Sequence, residues 1–358
     1  MRLGVVGSGS IIPFHLDAAV AAGFEISIVG SRQGSDRTPV LAERYGAEAG
    51  ADWHAVLGAD VDAFLIGPET SATPAILAAA LETGRPILSE KPGAYASAEL
   101  EALAGHSNAS QILVGYNRRH YSSTAAAKDF IGRAATGSGG SGAPSPITFH
   151  ASIPEASWTT SMPAEKKRDI LLSNTVHVLD LLRYLFPGLA LHSNLKIASE
   201  IDGSIYSEAV IFGSKLSLGL SHSEQPSGVA SGSGPTSPTP TASGTAIITF
   251  GSPSNYFIDL HSNGRSASMR PIEFYREFDS VSVIEPTPEL PLRHYVANQS
   301  GEFKLAQEDL DFKPGFLSQM RELAAMVEGR TPATHPGEFK SATLQDAIAV
   351  LKMAEALV

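Results

Sequence analysis

From the N-terminus to about residue 120, short apolar runs alternate with alanine- and leucine-rich stretches of helical period, and that rhythm restricts the fold most. The runs are Leu3 to Val6, Glu25 to Val29, Ala63 to Ile66, Pro86 to Leu88 and Gln111 to Gly115. Strands separated by helices are not joined by hairpins, so the pattern predicts a parallel, doubly wound α/β sheet. Chemistry in such sheets gathers at the carboxyl ends of the strands. The turn containing Gly7 and Gly9, then Pro68, Glu90-Lys91-Pro92 and Asn117, all fall there.

The opening segment MRLGVVGSGSIIPFHLDAAVAAG reads as strand, glycine turn and helix. Gly7 permits the tight turn. Gly9 lets a pyrophosphate approach backbone N–H groups at the positive end of the helix. The third glycine of the usual dinucleotide fingerprint is replaced by Ile12, so the turn alone also fits an ordinary strand-to-helix connection. The second strand ends at Ser31-Arg32, the position that would face an adenosine ribose. An acidic residue there would accept from the 2′-hydroxyl of NAD, whereas a hydroxyl and a guanidinium suit the 2′-phosphate of NADP. NADP is the preferred expectation and NAD the other; Arg32 could instead stack on the adenine as a solvated cation.

Beyond a helical stretch at 171 to 186, period-two runs such as Ser207 to Ser221, Thr245 to Phe250 and Asn255 to Leu260 predict a mostly antiparallel sheet. Gly315 to Val358 returns to helix, with a break at Gly329 to Pro336. Two runs rich in glycine, serine, threonine and proline, at 137 to 146 and 225 to 244, read as insertions at loop tips, since they carry too little apolar area to offset ordering entropy.

At 358 residues the chain is long for one core, which favours two domains. Its net charge of -11 argues against a nucleic-acid partner, because such proteins use clustered Lys and Arg to displace counterions. No apolar run reaches the ~18 residues of a membrane span, and the first strand begins at once, so a cytoplasmic location is expected. The absence of cysteine excludes disulfides, thiolate metal sites and a thiol nucleophile. There is no G-x-S-x-G, P-loop or HExxH pattern, the 11 histidines are scattered, and no metal site is expected.

The segments GVVGSGSI (4–11), VDAFLIGPE (61–69), AALETGRPILSEKP (79–92), VGYNRRHY (114–121), NTVHVLDLLRYLFPG (174–188) and GFLSQMRELAAMVEGRTP (315–332) together resemble the Gfo/Idh/MocA family of glucose-fructose oxidoreductase, inositol dehydrogenase and rhizopine-catabolism proteins. The resemblance implies a Rossmann dinucleotide-binding domain over 1–120. It implies an α+β domain with a large open sheet over 121–358, whose C-terminal helices, from about 315, pack back towards the first domain. It implies an oxidoreductase acting on a sugar, polyol or cyclitol carbinol, and a homodimer or homotetramer formed through the open sheet.

By the same resemblance, Lys91 sits near the reacting oxygen and His177 is the general acid/base. The expected cofactor contacts are Gly7, Gly9, Ser10, Ile11, Ser31, Arg32, Pro68, Glu90, Lys91 and Asn117. Trp158, Arg168, Ser173 and Asn174 join Lys91 and His177 as expected substrate contacts. Relatives often carry an aspartate four residues before the histidine, where this chain has Ser173. That departure keeps a second reading open, a non-catalytic dinucleotide-binding regulator of the kind the fold also supplies in a galactose pathway.

Overall fold

The computed structural model describes residues 1–136, 146–155, 164–187, 189, 191–201, 204–213, 242–250, 257–262, 265–269, 293–296, 299–302, 306–335 and 337–357. Two compact units emerge. The first takes Met1–Tyr121, Pro163–Leu181 and Ala306–Val358, and the second Ser122–Met162 and Leu182–Leu305. The first unit thus includes the C-terminal helices, and the histidine segment as far as Leu181.

The first unit is built on β1 (Arg2–Val6), β2 (Glu25–Gly30), β3 (Glu48–Ala49), β4 (Ala63–Ile66), β5 (Ile87–Ser89) and β6 (Ile112–Val114). These run parallel in the order β6-β5-β4-β1-β2-β3. The central strands are apolar along their whole length because helices cover both faces; Leu3, Val5, Val29 and Leu65 are buried accordingly. The covering helices are α1 (Ile12–Ala21), α2 (Arg37–Arg44), α3 (Trp53–Leu57), α4 (Thr73–Leu81) and α5 (Ser97–Ala104). In α1 a proline occupies the first turn, where its missing N–H costs nothing. Ile12, His15, Leu16 and Ala19 recur at three- and four-residue steps and form its buried face.

The remaining helices are α6 (Ser122–Thr136), α7 (Ala164–Ile170), α8 (Val176–Leu185), α9 (Gln307–Asp311), α10 (Phe316–Val327) and α11 (Leu344–Glu355). Phe316, Met320 and Leu323 of α10 share one core cluster with Ile12 and Leu16 of α1. The stretch expected to be one helix from 171 instead contains a π-turn, Leu171–Thr175, between α7 and α8. The Val176 N–H reaches back to the Leu171 carbonyl. Helical periodicity does not distinguish one wide turn from a regular one.

The second unit holds β7 (Ile147–Glu155), β8 (Leu191–Ile201), β9 (Ser204–Gly213), β10 (Ala242–Phe250), β11 (Phe257–Ser262), β12 (Arg265–Met269), β13 (Arg293–Val296) and β14 (Gln299–Glu302). Their order is β14-β13-β12-β11-β7-β10-β9-β8. Pairing is antiparallel except between β7 and β10, which run parallel. Phe149 of β7 stacks on Phe186 at 5.0 Å. Of the two low-complexity runs, 137–145 and 225–241 lie outside the described residues. Ala242 to Gly244 already belong to β10, paired with Ile147 to Phe149, because ladder hydrogen bonds can order a stretch whose composition offers little packing. One further strand, β15 (Ala342–Thr343), pairs antiparallel with β6 and closes the first sheet.

Candidate active site

Everything described in this section lies in the first unit. The turn after β1 is fixed by two backbone bonds, Gly7 N–H to Gly30 O (2.8 Å) and Gly67 N–H to Val6 O (2.7 Å). Gly7 has φ +127, and a Cβ there would sit 2.4 Å from the Gly67 carbonyl oxygen, so no other residue fits. A Cβ on Gly9 would meet nothing within 4 Å. Gly9 and Ser10 are exposed at the entry to α1. Tight at the first glycine and open at the second, the turn fits a dinucleotide pyrophosphate.

At the end of β2, Ser31 is buried and its hydroxyl lies 2.6 Å from that of Thr38 and 3.4 Å from that of Ser8. Ser8 also pairs with Ser35 at 3.1 Å. These hydroxyls join the glycine turn to the β2 end, with Arg32 exposed beside them. Ser8, Ser35 and Thr38 were not singled out from sequence, since isolated hydroxyls in a polar loop give no signal.

At the end of β5, Glu90 and Lys91 face different partners, and the Lys91-Pro92 peptide is cis. Glu90 bonds the Nε2 of His15, a histidine on the buried face of α1. Burial pushes the Glu90 carboxyl up, but the His15 hydrogen bond and the charges of His15 and Lys91 outweigh it and hold it below the usual carboxylate range. Lys91 donates from Nζ to the backbone carbonyl of Ser173 in the π-turn. His177 follows one turn later on α8. Its ring is half-buried and meets Tyr116 edge-on at 6.0 Å and 88°. Its Nδ1 is buried without a hydrogen-bond partner, as is the Tyr116 hydroxyl. Burial, with the Lys91, Arg118 and Lys313 cations, pushes the imidazole well below its ordinary value, so it is neutral near pH 7.

Other expected contacts fall variously. The Asn174 side-chain oxygen accepts from Arg118 at 3.1 Å, which brings both to the Lys91 and His177 group. Ser173 itself is exposed. Asn117 is buried, and its amide donates to Tyr121 (3.2 Å) and the Pro314 carbonyl (3.0 Å). Arg168 is exposed, with its guanidinium over the Tyr95 ring at 5.2 Å. Pro68 follows β4 beside the glycine turn, and Ile11 leads into α1. Trp158 lies outside the described residues. Both oxygens of Asp180 accept from Arg119, at 2.8 and 2.6 Å. No group of metal-ligating side chains occurs among the described residues.

Residues 1–117 match the family described as the oxidoreductase family, NAD-binding Rossmann fold, of the Gfo/Idh/MocA type. This stretch is similar to the Rossmann domain of that family. The match ends at the residue after Tyr116, so it includes the glycine turn, Ser31-Arg32 and Glu90-Lys91-Pro92 of that domain. No curated protein matches the chain in sequence. Among solved structures, the fold is similar to a Gfo/Idh/MocA family oxidoreductase from Vibrio cholerae, with a TM-score of 0.67, 15% identity, and coverage of 100% of this chain and 96% of that one. It is similar to UDP-N-acetylglucosamine 3-dehydrogenase from Acidithiobacillus ferrooxidans, with a TM-score of 0.62, 18% identity and coverage of 100% and 96%. It is similar also to levoglucosan dehydrogenase in complex with NADH and levoglucosan, with a TM-score of 0.66, 15% identity and coverage of 100% and 95%. No helix among the described residues is long and apolar enough to cross a membrane.

Proposed function

We propose that the chain is an NADP-dependent oxidoreductase that moves a hydride between nicotinamide and a carbinol or carbonyl carbon of a sugar, polyol, cyclitol or related small molecule. The observation that carries this reading is the meeting of Lys91 and the His177 helix, with the ammonium on the Ser173 carbonyl one turn before the imidazole. The dehydrogenases of similar fold, one for a nucleotide sugar and one for levoglucosan, support the substrate class.

Gly7, Gly9, Ser10 and Ile11 would hold the pyrophosphate, and Ser31 and Arg32 the 2′-phosphate. The cofactor supplies the hydride acceptor or donor. Oxidation of a carbinol also requires the hydroxyl proton to leave, and a neutral His177 can take it. A positioned base is worth ~10²- to 10⁴-fold in rate. Lys91 brings a positive charge to the oxygen as it becomes an alkoxide, a stabilisation that grows towards the transition state. In the reverse direction the same imidazole, once protonated, returns the proton. The enzyme works in the cytoplasm, as a homo-oligomer.

Cofactor choice is tested by titrating NADP and NAD fluorimetrically. A charge-assisted contact to the 2′-phosphate is worth about 1.5 to 3 kcal/mol, or roughly ten- to hundredfold in affinity. NADP should bind tighter by that factor, and Arg32→Ala should erase the difference. Equal or tighter binding of NAD by the wild-type protein rejects the preference. Turnover is sought with a panel of sugars, inositols and sugar acids. Ser173, exposed where relatives often carry a carboxylate, favours the regulator reading instead. That reading wins if the protein binds dinucleotide, turns over nothing in the panel, and retains a partner protein only when dinucleotide is present.

A further inference from the structure

We propose that His15 is a positioning residue for Lys91. Acting through Glu90, it would fix the strand end from which the lysine reaches the His177 helix. His15 is 0% exposed and lies on the helix that follows the glycine turn. Phe316 stacks on one face of its ring at 4.1 Å and 21°, while Nε2 bonds the Glu90 carboxylate. The ring is therefore held by packing as well as by a hydrogen bond. Its Nδ1 is buried with no partner, so the orientation is not explained by satisfying both nitrogens.

Glu90 sits in a slot that glycines keep open. A Cβ on Gly115 would come within 3.3 Å of the Glu90 Oε1, and one on Gly67 within 3.3 Å of its Cγ and 2.7 Å of Ile12. The backbone is tied on both sides, Glu90 N–H to Ile66 O at 2.7 Å and Gly115 N–H to Ser89 O at 2.7 Å. A buried carboxylate and imidazole gain little stability over an apolar pair of the same volume, because desolvation offsets their attraction. What the pair does supply is a fixed orientation. Glu90 is the residue directly before Lys91, so its side chain, pinned from α1, limits how far the peptide that carries Lys91 can rotate. Without that hold the ammonium would leave the Ser173 carbonyl and the region of His177.

This role rests on the oxidoreductase reading for its meaning, but its test does not need a substrate. Trace acetylation with isotopic acetic anhydride reports how reactive Lys91 is, scored by mass spectrometry against Lys352. His15→Phe keeps the ring stack and removes the bond to Glu90. Lys91 labelling should rise severalfold in this variant, while the NADP titration and the thermal midpoint change little. His15→Gln, whose amide can still donate to Glu90, should bring labelling back towards the wild-type rate. His15→Leu, which likewise cannot bond Glu90 and leaves its charge in place, should also release Lys91, and it serves as the test if His15→Phe does not fold. Given a substrate, His15→Phe should lower kcat about ten- to hundredfold with KM nearly unchanged, the scale of a misplaced catalytic group. Unchanged Lys91 labelling in a folded His15→Phe or His15→Leu protein overturns the proposal. A labelling change in a chain that turns over nothing leaves the positioning intact and counts only against the oxidoreductase reading.

Discussion

His177 and His120 are both held in the neutral state, yet their surroundings differ in the respect that separates function from structure. His120 is 4% exposed, with its two nitrogens 2.9 and 3.0 Å from the hydroxyls of Ser318 and Ser341. Burial, with the Lys340 and Arg119 cations, pushes it down to about 3. Glu322 stands 3.8 Å away but does not reverse this, since its carboxylate accepts from the N–H groups of Lys340 and Ser341. Every polar atom of the His120 ring has a partner. His177 is pushed the same way by burial and cations, but its Nδ1 has none. A depressed imidazole pKa alone therefore does not identify a base. Placement separates the two: His177 stands one turn beyond the Ser173 carbonyl that takes the Lys91 ammonium, whereas both nitrogens of His120 are engaged by serine hydroxyls.

The widest separation of the two histidines should appear in turnover. Lys91→Ala and His177→Ala should each lower kcat by on the order of 10² or more, with dinucleotide affinity within a few-fold. His120→Gln should leave kcat close to wild type in the same assay. Comparable losses from all three would erase the distinction.

Acid stability should show a smaller effect and put His120 first. Its folded pKa lies below its unfolded value, so below about pH 6.5 the unfolded chain binds a proton that the folded chain refuses. Stability is then lost as pH falls from about 6.5 towards 3, at about 1.4 kcal/mol per pH unit for one such group. Urea midpoints at pH 7 and pH 5 should differ less in His120→Gln than in wild type. An unchanged difference would mean that His120 titrates normally in the fold.

Ser173→Asp should give the least effect. A carboxylate one turn before His177 raises the imidazole pKa, so the acidic limb of the kcat/KM profile should move upward. Position 173 is exposed, so solvent limits the shift to less than about one pH unit, with activity kept or raised. A downward shift would contradict the cationic surroundings assigned to His177.

Strands buried on both faces announce themselves as continuous apolar runs, and for that reason β1, β2, β4, β5 and β6 were legible in the sequence within a residue or so. Lys91 and His177 were legible because short motifs surround them. The His15 to Glu90 bond was not, since its partners are 75 positions apart and each looks ordinary in its own segment. The π-turn was hidden for a different reason. It is a matter of backbone bonding, such as the Val176 N–H to the Leu171 carbonyl, and the side-chain period on either side is that of any amphipathic helix. Asp180 stood three residues from His177, a spacing that permits contact, but the guanidinium of Arg119 offers a carboxylate two bonds where an imidazole offers one.

The last strand to appear has a consequence for synthesis. Ala342 pairs with Val114, and Glu355 near the C-terminus accepts from both the backbone and the hydroxyl of Ser97. A ribosome adding roughly 5–20 residues per second delivers Ala342 on the order of ten to fifty seconds after Val114. Through that interval the β6 edge and the apolar surface awaiting Phe316 and Met320 have no native cover. The nascent chain is then most open to pairing with a neighbour, and this is the stage at which a holding chaperone would have the most to protect.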